Sequence, residues 1–129
     1  MELIDSIKEH EGFDGKPYRD TEGFLTIGYG TKLPISRAEG EMLLKNRLDI
    51  LSNELIQKEP MLLNLPSEKQ GILFEMAYQM GVNGVLKFKK MWQALENFDY
   101  VQAAVEMLDS RWAKQTPNRA QELAKRMGE

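Results

Sequence analysis

The most constraining feature is a single long helix bounded at both ends. Ser36 and Glu39 stand at the spacing of a capping box, so a helix is predicted to start at Arg37. Leu44, Leu48, Leu51 and Leu55 continue it as an apolar stripe with 4-3-4 spacing, and Pro60 stops it. Some 22 residues at about 1.5 Å each make a rod of roughly 33 Å. In a chain of 129 residues such a rod is long enough to join two lobes.

What flanks the rod differs in kind. Before it, Leu3, Ile4 and Ile7 form a short helical stripe whose next position is Glu11, and Gly12 suits the helix end. Between Tyr18 and Tyr29, Asp20-Thr21-Glu22-Gly23 reads as a turn and Phe24-Leu25-Thr26-Ile27 as a strand, giving a hairpin. A third short strand is expected near Thr31–Leu33. After the rod the pattern is helical throughout. Ser67 and Gln70 repeat the capping-box spacing before a segment (Ile72, Leu73, Phe74, Met76, Ala77, Tyr78, Met80) that is apolar on nearly all sides and ends at Gly81, a candidate central helix. Val85, Phe88, Met91, Trp92 and Leu95 mark another helix. Asp99 with Gln102 caps a third, carrying Val101, Ala104, Val105 and Leu108. Thr116-Pro117 opens a last one with Ala120, Leu123, Ala124 and Met127.

The predicted architecture is therefore α+β: a small hairpin lobe, about 13–59 with the linking helix, and a larger helical lobe, about 1–12 with 60–129. The N-terminal helix is expected to pack on the helical lobe. Clefts between lobes are common ligand sites.

Composition removes several function classes. There is no cysteine and a single histidine, His10, which argues against disulfides, thiol chemistry, a histidine metal site and a Ser/His/Asp triad. No metal and no cofactor are expected. A net charge of −3 gives no reason to expect nucleic-acid binding. No apolar run approaches the roughly 18–20 residues that cross a bilayer. The N-terminus shows no basic segment followed by an apolar core, so no signal peptide is expected. The charge is uneven: residues 1–23 hold seven acids against three bases, and residues 111–129 hold five bases against two acids.

Two carboxyl groups in unlike settings suggest glycoside hydrolysis, which needs one protonated acid and one ionised carboxylate. Glu11, continuing an apolar helix face, has its charged form disfavoured. Asp20, in a polar turn, has access to water. Thr26, expected across the hairpin from Asp20, offers a hydroxyl that orients water without adding charge. Each residue also has an ordinary reading: an exposed helix end, a turn former and a strand filler.

The run Glu11-Gly12, then Tyr18-Arg19-Asp20-Thr21-Glu22-Gly23-Phe24-Leu25-Thr26-Ile27-Gly28-Tyr29-Gly30, closely resembles the catalytic segment of phage T4-type lysozymes. That family's pattern is a glutamate, eight residues, an aspartate, five residues and a threonine. Two further stretches match in order: Gln79-Met80-Gly81 with Gly84-Val85 and Phe88, then Ser110-Arg111-Trp112 with Gln115-Thr116-Pro117-Asn118-Arg119-Ala120. The resemblance implies an endolysin or muramidase that cleaves the β-1,4 bond between N-acetylmuramic acid and N-acetylglucosamine in peptidoglycan glycan strands. It casts Glu11 as general acid and Asp20 with Thr26 as the pair that positions water, which implies inversion. It places Tyr78, Gln79 and Lys32 at the sugar-binding cleft, and gives Arg119 the role of pairing with Glu11. It also implies a monomer with no membrane insertion, made in a bacterial host's cytoplasm and released to the wall through a holin-type pore. Thr31 and Lys32 depart from the family's usual His and apolar residue, and Glu106 stands where some relatives carry an amide. The alternatives are a lytic transglycosylase, which typically lacks the second carboxylate, and a non-catalytic wall-binding module on the same fold.

Overall fold

A computed structural model describes residues 2–129. The chain is α+β, mostly helical with one three-stranded antiparallel sheet, and it divides into two compact units, Met1–Leu43 and Leu44–Glu129.

The first unit opens with α1 (Leu3–Glu11). Gly12 ends it at φ 70, with its N–H on the Lys8 carbonyl at 2.9 Å. This left-handed terminus is the conformation glycine adopts without a Cβ penalty. The sheet follows in the order β1 (Asp14–Arg19), β2 (Leu25–Gly28) and β3 (Thr31–Lys32). The hairpin's first strand starts at Asp14, earlier than the sequence pattern indicates, with an irregularity between Asp14 and Tyr18. The expected third strand is present. Thr26 pairs with Tyr18 on one side and Lys32 on the other. Its cross-strand neighbour is therefore Tyr18, and not Asp20 as the sequence suggested. The turn takes up Asp20 itself, so the ladder begins one residue earlier.

The boundary between the units falls within α2 (Arg37–Lys58), whose predicted start, length and stop all match. Its capping box is reciprocal: the Ser36 N–H donates to Glu39 Oε1 at 2.9 Å, and the Glu39 N–H to Ser36 Oγ at 3.1 Å.

The second unit holds the core. A 3-10 turn (Pro60–Asn64) leads to α3 (Ser67–Met80), α4 (Val82–Leu86), α5 (Lys89–Glu96), α6 (Tyr100–Leu108), α7 (Arg111–Gln115) and α8 (Pro117–Gly128). Leu55, Leu62, Leu73, Met76, Val85, Met91, Leu95, Met107 and Met127 are fully buried in one apolar cluster. Fully burying such a side chain contributes about 1.5–3 kcal/mol.

Several local expectations give way to tertiary packing. The second capping box does not form. Gln70 instead donates its side-chain amide to the Leu65 carbonyl at 2.8 Å, and Pro66 precedes the helix without a side-chain cap. α3 is buried along one face only, through Lys69, Ile72, Leu73, Met76 and Ala77, while Tyr78 stays exposed. The single helix predicted over Val85–Leu95 is two helices. The break is fixed by the Val85 carbonyl, which accepts the Phe88 N–H at 3.1 Å and the Trp92 indole N–H at 3.0 Å. In α6 the Asp99 cap holds, with its carboxylate accepting the Gln102 N–H at 3.0 Å. Yet Val101, Val105 and Leu108 are exposed, and the helix buries Ala103 and Met107. α6 packs on α8, and small residues permit the approach: a Cβ on Gly128 would sit 3.5 Å from the Ala104 methyl. Thr116 does not cap α8; its hydroxyl donates to the Trp112 carbonyl at 3.0 Å.

Candidate functional site

The first unit brings Glu11, Asp20, Thr26 and Lys32 onto one helix end and one small sheet. Asp20 sits in the β1–β2 turn, and a single oxygen of its carboxylate shapes that turn. Oδ1 accepts the Glu22 N–H at 3.0 Å and the Phe24 N–H at 2.8 Å, while the Asp20 N–H donates to the Phe24 carbonyl at 2.9 Å. Among the described residues, Oδ2 takes no protein hydrogen bond. A carboxylate has about four lone-pair sites, so the turn leaves one whole oxygen for other work.

Thr26 is joined to the same hub. Its hydroxyl donates to the Phe24 carbonyl at 2.8 Å, and the residue is 2% exposed. Because the hydroxyl hydrogen is committed to that carbonyl, the oxygen can act toward another group only as an acceptor. The Phe24 backbone thus ties Asp20 and Thr26 into one rigid unit, although they are not cross-strand partners.

Glu11 lies at the last position of α1, before the turn at Gly12. The apolar cover that its helical position suggested is not supplied by α1: Leu3, Ile4 and Ile7 are exposed, and so is Glu11. Its side chain instead lies against the backbone at Gly30, where φ is +75. Lys32 places its ammonium 4.8 Å from the centroid of the half-exposed Phe24 ring, a cation–π contact. Phe13 and Tyr29 pack as a tilted aromatic pair at 5.2 Å, with Lys8 5.5 Å from the Tyr29 ring.

The second unit places the remaining candidates in two separate cavities. Tyr78 and Arg119 share one of about 420 Å³, with Leu44, Leu48, Phe74 and Glu75. Arg119 Nε donates to Glu75 Oε2 at 2.9 Å, and Arg126 Nη2 lies 3.6 Å from the other Glu75 oxygen. The sequence expectation gave Arg119 a carboxylate partner to offset its unfavourable place in a first helical turn. It named Glu11; within its own unit Arg119 pairs with Glu75. Gln79 faces the other cavity, of about 540 Å³, with Lys87, Phe88, Arg111 and Trp112. There the Trp112 indole donates to Gln79 Oε1 at 2.8 Å, and Phe88 meets the Trp112 ring edge-on at 6.2 Å. Glu106 accepts a hydrogen bond from its helix neighbour Gln102 at 3.3 Å.

Among the described residues no group of three or more His, Cys, Asp or Glu side chains is placed to hold a metal ion. None of the described helices is long and apolar enough to cross a membrane.

Comparison with known proteins places the chain in a family. The family model described as phage lysozyme matches residues 8–129. Two Dictyostelium discoideum proteins, probable T4-type lysozyme 1 and probable T4-type lysozyme 2, are each 30% identical to the chain. Each alignment covers 92% of this chain and 88% of the relative. The pre-baseplate central spike protein Gp5 of Enterobacteria phage T4 is also 30% identical, over 93% of this chain but only 26% of that protein. The match to the family model along almost the whole chain, together with relatives matched over most of their own length, establishes that the chain belongs to the phage lysozyme family.

Proposed function

We propose that this protein is a muramidase that hydrolyses the β-1,4 bond between N-acetylmuramic acid and N-acetylglucosamine in peptidoglycan. Glu11 acts as general acid, and Asp20 with Thr26 holds the attacking water. The observation that carries this reading is the division of labour within the Asp20 carboxylate, with Oδ1 bound into the turn and Oδ2 free.

The chemistry follows from donors and acceptors. Glu11 gives its proton to the glycosidic oxygen as the bond to the anomeric carbon breaks. A water donates one hydrogen bond to Asp20 Oδ2 and the other to Thr26 Oγ1, whose own hydrogen is held by the Phe24 carbonyl. That leaves the water a lone pair for the anomeric carbon. As it attacks, Asp20 takes the proton that Glu11 will need back. Delivery of water opposite the leaving group inverts the anomeric configuration. Tyr78, Gln79 and Lys32 bind the glycan, and Arg119 is a supporting cation. The protein works as a monomer on glycan strands and reaches the wall from the host cytoplasm through a membrane pore supplied separately.

The test is clearance of permeabilised Gram-negative cells by the parent and by Glu11→Gln, with NMR of the first-formed anomer. The expected result is loss of lysis in the variant at unchanged fold, and an inverted product from the parent. Near-parental lysis by Glu11→Gln removes Glu11 from the mechanism. Retained anomers overturn the water-holding role, and 1,6-anhydromuramic ends assign the chain to transglycosylation.

A further inference from the structure

Five glycines adopt positive φ: Gly12, Gly23, Gly28, Gly30 and Gly81. At four of them a Cβ would meet nothing within 4 Å, so glycine serves the backbone conformation alone. Gly30 is different. A Cβ there would stand 2.5 Å from Glu11 Oε2, 2.7 Å from Cδ and 3.0 Å from Cγ. Real Cβ atoms do not tolerate separations below about 3 Å, so the carboxyl itself occupies the space that a side chain would fill.

We infer that Gly30 is a positioning residue for the reaction: its missing side chain is the seat of the Glu11 carboxyl. This rests on Glu11 being the acid. A general acid must meet its leaving oxygen within hydrogen-bond reach, and a displacement of about 1 Å can cost on the order of 100-fold in rate. Glu11 ends α1 directly before the turn at Gly12, and among the described residues of its unit no side chain holds its carboxyl by a hydrogen bond. The space left open by the missing Gly30 side chain is therefore where the carboxyl sits. A methyl at position 30 pushes it out while leaving the residue's chemistry intact.

The same unit supplies the control. Gly28 has φ +68 against +75 at Gly30, so alanine strains the backbone about equally at either position, but only at Gly30 does it strike Glu11. Gly28→Ala, Gly30→Ala and Gly30→Asn are compared on a soluble glycan oligomer; asparagine tolerates positive φ better and keeps the Cβ. Both alanine variants are expected to lose several degrees of Tm. Gly30→Ala and Gly30→Asn are expected to lose at least about tenfold in kcat at near-parental KM, while Gly28→Ala keeps kcat within about threefold. Binding of a glycan fragment to Glu11→Gln, with and without Gly30→Ala, is expected to be equal. If the Gly30 variants track Gly28→Ala in kcat, or if Gly30→Ala weakens binding in the Glu11→Gln background, the seat is not the role of Gly30. If Glu11→Gln itself keeps parental activity, the acid assignment has failed, a result read without any Gly30 variant.

Discussion

Asp20 offers a clean separation of folding from chemistry. Its two turn hydrogen bonds, from the N–H groups of Glu22 and Phe24, both end on Oδ1. Asparagine can present its carbonyl oxygen to the same two donors, placing its NH₂ where Oδ2 was. Asp20→Asn should therefore keep the turn, with stability within about 0.5 kcal/mol of the parent. Alanine removes both bonds. At a solvated turn each contributes near the low end of about 0.5–1.5 kcal/mol, so Asp20→Ala should cost about 1–2 kcal/mol. That corresponds to a fall in Tm of about 3–10 °C for a chain of this size.

Activity should not follow stability. An amide NH₂ is a donor without proton affinity, so it can neither accept a hydrogen bond from the attacking water nor take its proton. Both variants should therefore lose lysis, although only one loses stability. The measurements are urea or thermal unfolding alongside cell clearance. Two results refute the reasoning. If Asp20→Asn is destabilised as much as Asp20→Ala, the turn depends on charge and not on the Oδ1 acceptor geometry. If Asp20→Asn lyses cells normally, the free oxygen has no chemical role.

Two pH experiments have opposite signs. The Ser36 N–H and hydroxyl hold the Glu39 carboxyl below its ordinary pKa, so its contribution is full above the usual carboxylate range and is lost as pH falls through the depressed value. Glu39→Gln should melt below the parent at neutral pH, with the gap closing on acidification. Burial and repulsion from Glu96 push Glu59 above its ordinary pKa, so its ionised form destabilises the fold above that raised value. Glu59→Gln should melt higher at neutral pH, by on the order of 1–2 °C, and the gain should vanish below the usual carboxylate range. Lys69 is 6% exposed and donates from Nζ to the Arg126 carbonyl at 2.7 Å, near the C-terminus of α8. Lys69→Met keeps the volume and removes that bond, and should cost about 1–3 kcal/mol in urea unfolding; an unchanged midpoint would show the ammonium to be dispensable.

What the sequence made legible follows the range of the interaction. Ser36 and Glu39 satisfy each other across three residues, Asp99 accepts the Gln102 N–H at the same spacing, and Gly12 and Gly81 end helices by their own backbone freedom. Such features are local, and spacing reveals them. Longer-range choices were hidden. Ser67 and Gln70 have the same spacing as a working cap, but the Leu65 carbonyl wins the Gln70 amide. Val101, Val105 and Leu108 look like a core stripe, yet they are exposed, and α6 meets α8 through the small Ala104 against Gly128. Nothing local marks Lys69 as buried, and its partner is a carbonyl 57 residues away that accepts a hydrogen bond from its ammonium. Likewise, Arg119 announced its need for a partner, but no local rule could say that the partner is Glu75 rather than another acid.

The candidate site inverts the usual opposition between a bland and a functional reading of one residue. Asp20 as turn former and Asp20 as proton acceptor are not rivals, because the turn consumes one oxygen and so orients the other. Asn or Ser could supply the first function; only a carboxylate supplies both. The same logic holds at Thr26, whose ordinary role as a strand residue fixes its hydroxyl hydrogen on the Phe24 carbonyl and thereby leaves an oxygen that can only accept. A water held between two obligate acceptors has both hydrogens assigned and its lone pair directed outward. Under the proposed mechanism, a rigid turn and an aimed nucleophile depend on the same hydrogen bonds. A substitution expected to preserve the turn while changing the free atom, Asp20→Asn, separates two requirements that the proposed mechanism places on one carboxylate.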